Sequence, residues 1–456
     1  MSGGADDRHP RDRLRRELGP GAATLLVVSS VVGSGIFFTP GRIAGLVPDV
    51  ELIFLLWLAG GLLSLAGALA NAELGAMFPH AGGDYVYLRK AFHPAAGYLV
   101  GWLTFFAIYA GTIATLAAAF GQGLGSFLGY DTSPGSPGVL AVAIGVTVAT
   151  SALNYVGVRF GALANNLTAS VKILALLALA LVAPFTGGGD FANFAAAVPD
   201  AETTLSSFGL ALSPVLFTYL GWNATIYVAS EIKNPGRNVP RSLFGGLAIC
   251  TALYLVMNAV YLYAMPAAEL REVGNAGEAA ARILIGGAAG TVVAVFVLGS
   301  ILGTLNATVL VGPRIAYAMA LDGLFFRNVD GTHTRFGTPH VAILLQGVVS
   351  VALLLLFQVF PESLFASALD YTVFAIVLAT MADTAALYRL RHTMPDQPRP
   401  YRAWGYPWLP AFYLLANGWI ALEMLRQRPQ ECLIGLLVVA TGWPFYVLFR
   451  RRSAAS

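Results

Sequence analysis

Gly33-Ser34-Gly35-Ile36-Phe37-Phe38-Thr39-Pro40-Gly41 lies inside an apolar stretch that runs from residue 20 to 46. A stretch of that length suits a membrane-crossing helix, which needs roughly 20 mostly apolar residues. Two glycines around a serine do not, because each costs about 1 kcal/mol against alanine in a helix interior. The same incongruity recurs at Thr218-Tyr219-Leu220-Gly221-Trp222-Asn223, in the middle of the apolar stretch 206–231. Unwinding at either place frees backbone N–H and C=O groups that lipid cannot satisfy, so this backbone must face protein or a polar cavity.

The whole composition places the chain in a membrane. Of 456 residues 57% are hydrophobic and 11% charged, with mean hydropathy +0.69. Soluble proteins carry about 25% charged residues, so a water-facing surface cannot be built from this sequence. Cutting it at charged, Pro-rich and Gly-rich joints leaves apolar segments at 20–46, 51–78, 97–127, 138–157, 160–184, 206–231, 240–265, 283–319, 341–359, 363–390, 407–426 and 431–450. The expectation is an all-α membrane protein with twelve transmembrane helices, of which 97–127 and 283–319 are long enough to require tilt or extension beyond the bilayer. The first segment is too long for a signal-peptide core and reads as a retained span.

Of the 27 Lys and Arg residues, Lys172 and Arg314 fall within spans. Arg42, Arg271, Arg282, Arg426 and Arg428 fall on one side, and the remaining twenty on the other. The positive-inside rule then makes both termini cytoplasmic, with residues 1–19 and 451–456 as tails. The two breaks occupy matching places if 20–184 and 206–390 are two copies of one unit, as an inverted repeat requires. The repeated core is then 20–390, a five-plus-five arrangement with helices 1 and 6 broken, and 391–450 supplies two additional helices.

Several function classes are excluded. The net charge is only +3, and basic residues sit in short loops rather than in a patch that tracks phosphates, so nucleic acid is not a partner. Cys250 and Cys432 stand alone in apolar runs, without metal spacing or a disulfide framework; no cofactor and no metal site is expected. His-Glu-x-x-His and Gly-x-Ser-x-Gly are absent, which argues against an enzyme. No carbonyl filter of a channel is present.

Broken helices point instead to a binding site. Unwinding after Gly33 creates a new helix N-terminus whose amides, on Ser34, Gly35 and Ile36, carry the positive end of a helix dipole and suit a carboxylate. The break in 206–231 leaves partly negative carbonyls near Phe217 and Thr218, which suit an ammonium group. Together they complement the zwitterionic head of an α-amino acid. The competing reading is that Gly33 and Gly35 only let helices pack closely.

These stretches also resemble a known family. Gly33-Ser34-Gly35-Ile36-Phe37 with Thr39-Pro40, Ala72-Glu73-Leu74-Gly75-Ala76-Met77-Phe78-Pro79, Gly82-Gly83-Asp84-Tyr85, Phe217 to Asn223, Glu231-Ile232-Lys233-Asn234-Pro235, Arg314 to Gly323 and Arg399-Pro400-Tyr401-Arg402 resemble amino acid–polyamine–organocation permeases. The branch they look most like is that of the L-type amino acid transporters and their bacterial relatives. The resemblance implies a five-plus-five inverted-repeat core with two extra helices. It also implies a secondary active carrier of neutral L-amino acids in a bacterial inner (plasma) membrane, working by alternating access as an exchanger or facilitator. Carboxylate contacts then fall at Ser34, Gly35 and Ile36, beside Gly33. Phe217 matches an aromatic gate, while Thr218, Trp222 and Asn223 border the pocket. Leu220 replaces a glycine common in the L-type motif and should shrink the side-chain pocket, favouring smaller neutral substrates.

Lys172, about twelve residues into 160–184, sits near the bilayer centre, where it needs a partner. The resemblance places it against the unwound part of the first span, where sodium-driven relatives hold a cation. It is either a fixed ammonium bridging spans one, five and eight or the group that couples transport to H+, and a proton-coupled symporter is the alternative function. Asn306 matches a polar position near that lysine. Glu73 and Asp84 are expected to pair with loop arginines; Asp370 and Asp383 lie deeper, and Asp370 could attract the substrate amine. L-type light chains carry a cysteine after span three that tethers a heavy chain. Residues 129–137 have none, so no disulfide-linked heavy chain is expected. A membrane sensor that binds amino acids without moving them is the alternative of a different class.

Overall fold

The computed structural model describes residues 12–133, 135–196, 203–359, 363–427 and 429–455, the side chains of 357–372, 431, 434 and 453–455 excepted. The Asp370 side chain lies outside the described residues. Helices make up the architecture, and the described residues contain only two isolated β-bridges, Leu18 with Ile232 and Ala81 with Val228.

In chain order the helices are α1 Pro20–Val31, α2 Gly35–Leu46, α3 Val50–Met77, α4 Asp84–Ala91, α5 Pro94–Leu128, α6 Pro137–Val156, α7 Val158–Val182 and α8 Leu205–Tyr219. They continue as α9 Ala224–Tyr227, α10 Pro235–Ala264, α11 Ala276–Leu284, α12 Gly287–Leu321, α13 His340–Val359, α14 Ser363–Thr393, α15 Trp408–Gln427 and α16 Pro429–Ala455. Proline opens α1, α6 and α10, where its missing N–H costs nothing. Asp49 caps α3 by accepting from the Leu52 N–H at 3.1 Å, and Thr204 and Ser207 form a reciprocal capping box on α8.

Among the described residues seven helices are long and apolar enough to cross a membrane, and α1 with α2 passes as an eighth, bent by 45°. The long α5 carries a π-helical turn at Thr104–Tyr109. Two sequence expectations need correction. The segment 283–319 does not begin one helix: 283 and 284 close the amphipathic α11, and the crossing helix starts at Gly287. The segment 206–231 is not a helix in two equal halves. α8 ends at Tyr219, and beyond the break only the one-turn α9 and a 3-10 turn at Ala229–Glu231 follow. Leu220 is extended and Gly221 has φ +93°, and Lys233-Asn234-Pro235 stops any return to helix before α10.

Residues 12–19, expected as part of a charged tail, are packed beneath the helices. Leu14 and Leu18 are buried, the Arg13 N–H donates to the Tyr317 hydroxyl at 3.1 Å, and Leu18 exchanges backbone hydrogen bonds with Glu231 and Lys233, each 2.9 Å. Glu231 itself is fully buried and holds Arg314 of α12 through two bonds, Nε to Oε1 at 2.7 Å and Nη2 to Oε2 at 3.1 Å. Glu73, at the same end of α3, takes Arg391, Arg399 and the Ala403 N–H, as expected of it. Asp84 behaves differently and belongs to the cavity.

Candidate functional site

A cavity of about 420 Å³ opens between the two breaks, bordered by Gly33, Ser34, Gly35, Phe217, Thr218, Leu220, Gly221 and Asn223. Its remaining walls include Ile108, Tyr109, Thr112 and Thr115, at and just beyond the π-helical turn of α5, and Thr304 and Thr308 of α12. A π-turn often marks a functional site because it displaces side chains from the regular helical face.

At the first break the chain leaves α1 after Val31 and re-enters helix at Gly35. The Gly33 N–H turns back to the Val31 carbonyl at 2.9 Å. The amides of Ser34, Gly35 and Ile36 have no acceptor among the described residues, whereas Phe37 and Phe38 both reach the Ser34 carbonyl. These three free donors sit at the head of α2, where the helix dipole adds to them. Ile36 does not border the cavity, and its side chain is fully buried.

The second break meets the first directly. A Cβ on Gly221 would stand 2.8 Å from the Ser30 carbonyl oxygen, and one on Gly35 would stand 2.9 Å from the Thr218 side chain. Thr39 and Thr218 share a hydroxyl contact of 3.1 Å. Close packing is thus one purpose of Gly35, and it coexists with the free amides. The carbonyls expected to be open are partly engaged: Phe217 accepts from the Leu220 N–H at 3.1 Å, and Thr218 from the Tyr254 hydroxyl at 2.9 Å. Each oxygen keeps a second lone pair. Trp222 is absent from the cavity wall; its ring packs beside Gly67 of α3.

Lys172 is buried in α7 and aims its ammonium at the first break. Nζ donates to the Val32 carbonyl at 2.7 Å, to Thr304 Oγ1 at 2.9 Å and to the Ser29 carbonyl at 3.3 Å. Three acceptors match its three donors. Asn306 takes no part in this. It accepts from Asn154 at 2.9 Å and donates to the Gly161 carbonyl at 3.0 Å, tying α12 to α6 and α7. The α12 residues at the break are Ser300, which reaches the Val32 and Gly33 carbonyls, and Thr304. Sequence reasoning missed both. Ser300, Thr304 and Thr308 recur every four residues on an apolar helix, one polar stripe that could have disclosed them. Tyr254 of α10 was also missed, although its hydroxyl touches the Val31 and Thr218 carbonyls, each at 2.9 Å, and so stands between the two breaks.

Among the described residues no group of three or more His, Cys, Asp or Glu side chains is placed to hold a metal. What the site offers is a largely apolar cavity with amide donors on one wall and carbonyl oxygens on the other.

Comparison with known proteins gives the family. The family model described as amino acid permease matches residues 18–430. The serine/threonine exchanger SteT of Bacillus subtilis (strain 168) is 29% identical over 453 residues, covering 98% of this chain and 100% of that protein. The human b(0,+)-type amino acid transporter 1 is 27% identical over 444 residues, 96% of this chain and 88% of the relative. The human large neutral amino acids transporter small subunit 2 is 27% identical over 445 residues, 95% and 80% of the two. Since the match runs through both breaks and the cavity between them, the chain belongs to the amino acid permease family of the amino acid–polyamine–organocation superfamily, in the L-type branch with its bacterial relatives, and is an integral membrane transporter rather than an enzyme.

Proposed function

We propose that this permease exchanges small neutral L-amino acids by alternating access, holding the substrate carboxylate at Ser34, Gly35 and Ile36 and its amine at the carbonyl end of α8. The observation that carries the reading is the set of three unpartnered amides at the head of α2, of which Ser34 and Gly35 border the cavity shared with the α8 terminus. A carboxylate satisfies them all, and the dipole of α2 adds to the attraction. Phe217 borders the same cavity as the gate. Leu220 occupies its side-chain end and favours compact substrates.

In this reading residues 20–184 and 206–390 are inverted repeats, 391–450 supplies two further helices, and the chain crosses a bacterial inner membrane twelve times with both termini cytoplasmic. Lys172 acts as a fixed tether, because its three donors are matched by three acceptors on α1, the first break and α12. No disulfide-linked heavy chain is required, since both cysteines of the chain are buried.

Counterflow in proteoliposomes tests the function. Vesicles loaded with unlabelled serine, alanine or threonine should take up labelled substrate faster than empty ones. Uptake that ignores internal amino acid removes the exchanger, and binding without any uptake favours a sensor.

A further inference from the structure

Away from Arg42 the cavity reaches the Asp84 carboxyl, with the Asp383 carboxyl next to it, and substrate binding uses neither. Arg42 lies in α2, which hands over to the start of α3; Asp84 follows the far end of α3, so α3 separates the two ends. Asp84 opens α4 and lines the cavity. Asp383 comes from α14, and its side chain is within hydrogen-bonding reach of Asp84. Both are buried, 1% and 0% exposed.

The arrangement is short of hydrogens. Asp84 Oδ2 accepts from the Tyr227 hydroxyl at 2.6 Å, but Asp84 Oδ1 and both Asp383 oxygens have no donor. Asn71 of α3, 1% exposed, stands beside Asp383 with neither end of its amide engaged in a well-formed bond, and the buried Tyr87 hydroxyl nearby has no partner either. Ionised carboxylates only accept, so two of them in contact satisfy nothing and repel.

No cation offsets that repulsion among the described residues. The ionisable groups facing the pair are the hydroxyls of Tyr87 on α4, Tyr109 on α5, Tyr227 on α9 and Tyr413 on α15. The cations of neighbouring elements are committed elsewhere: Arg89 to Asp322, Arg391 and Arg399 to Glu73, and Lys90 over the Phe78 ring.

One hydrogen ion removes the repulsion between the two carboxyls. Placed on Asp383, it gives Asp84 Oδ1 a donor, leaves Asp84 as the single carboxylate, and the other Asp383 oxygen can still accept from the Asn71 amide beside it. We propose that Asp84 and Asp383 form a proton-binding site beside the substrate cavity, one proton shared between them, linked to the second break through Tyr227 and Asn223. The link consists of two hydrogen bonds: the Asn223 amide donates to the Tyr227 hydroxyl at 3.3 Å, which donates to Asp84. Burial also raises the Asp84 carboxyl above the ordinary carboxylate range, against the opposing pull of its bonds to Asp383 and Tyr227. The proton belongs to the pair, as in any strongly coupled titration, and reaches it from water in the cavity. That the site serves transport rests on the reading above; that it holds a proton does not.

Infrared spectroscopy of the purified protein in lipid vesicles tests the site without relying on transport. At neutral pH the wild type should show the carbonyl-stretch band of a protonated carboxylic acid, shifted in D2O and lost in Asp383→Asn. Absence of the band in the wild type, or its persistence in the variant, overturns the proposal. Titrating the wild-type band upward in pH is the second measurement and needs no variant. Exchange should fall about tenfold per pH unit beyond the point where the band disappears, and an exchange rate indifferent to loss of the band removes the coupling. Vesicles that show the band but no counterflow sink the transport reading and leave the proton site standing.

Discussion

Lys172 fixes the geometry of the first break from outside the broken helix. Replacing it by methionine removes three donors and leaves the Ser29 and Val32 carbonyls with fewer partners, at about 1–3 kcal/mol for each buried group left unmet. Lys172→Met should therefore lower exchange in proteoliposomes more than tenfold at unchanged protein yield; near-normal exchange would show that the tether is dispensable. Leu220 sets a different quantity. In a pocket wall each missing methylene is worth about 1–3 kcal/mol of discrimination, so Leu220→Gly should let leucine or phenylalanine compete with labelled alanine at least tenfold better, measured as inhibition of exchange. Lys172 was legible in the sequence because a lysine in the middle of an apolar span has to have a partner. Thr304, its partner, was not read, since a threonine in such a span can satisfy itself on its own helix, as Thr308 does with the Thr304 carbonyl, and only the four-residue spacing with Ser300 and Thr308 marks it out. The pairing of Asp84 with Asp383 was equally hidden: Asp84 reads alone as an interfacial charge and Asp383 as a deeper one within its span, and only the packing of α4 against α14 brings them together.

Among the elements, the two broken ones depend on glycines that have lost the choice of side chain. Gly221 combines φ +93° with a Cβ position 2.8 Å from the Ser30 carbonyl, so Gly221→Ala has to strain its own backbone, at about 1–3 kcal/mol, and push the two breaks apart. Exchange should fall more than tenfold, and substrate-induced thermal stabilisation should shrink with it. The Glu231–Arg314 pair seals α12 to the segment after the second break, and removing one partner strands a buried charge at about 3–5 kcal/mol. Arg314→Ala should lower the melting temperature of the detergent-purified protein by several degrees, while added salt should barely change the wild type because both groups are dry. The first break was readable because Gly-Ser-Gly interrupts an otherwise uniform span. The short second half after residue 223 was not: Ala224 to Ile232 is as apolar as a helix, and only the αL turn at Gly221 and the backbone pairing of 231–233 with Leu18 keep it from becoming one.

At the scale of the molecule, orientation can be measured with single cysteines, since Cys250 and Cys432 are both buried while Ser133 and Arg452 are exposed. Arg452→Cys should react with a membrane-impermeant maleimide only after vesicles are opened or inverted, and Ser133→Cys from outside in right-side-out vesicles. Labelling of both from one face would cancel the predicted topology. Hydropathy alone located the long helices to within a few residues, from α3 at Val50 to α16 at Pro429. It failed at the edges of 283–319, because the amphipathic α11 is apolar on one face and runs into the next span with no charged gap between them.

The backbone ladder between Leu18 and residues 231–233 clamps the entrance of α1 to the chain that leaves the second break. Any tilt of α1 therefore has to carry that segment along, and with it Glu231 and the arginine it grips. The two bent elements are thus joined outside the cavity as well as across it, so the amino-terminal end of the chain is coupled to the segment beyond the second break by main-chain bonds that no substrate has to complete.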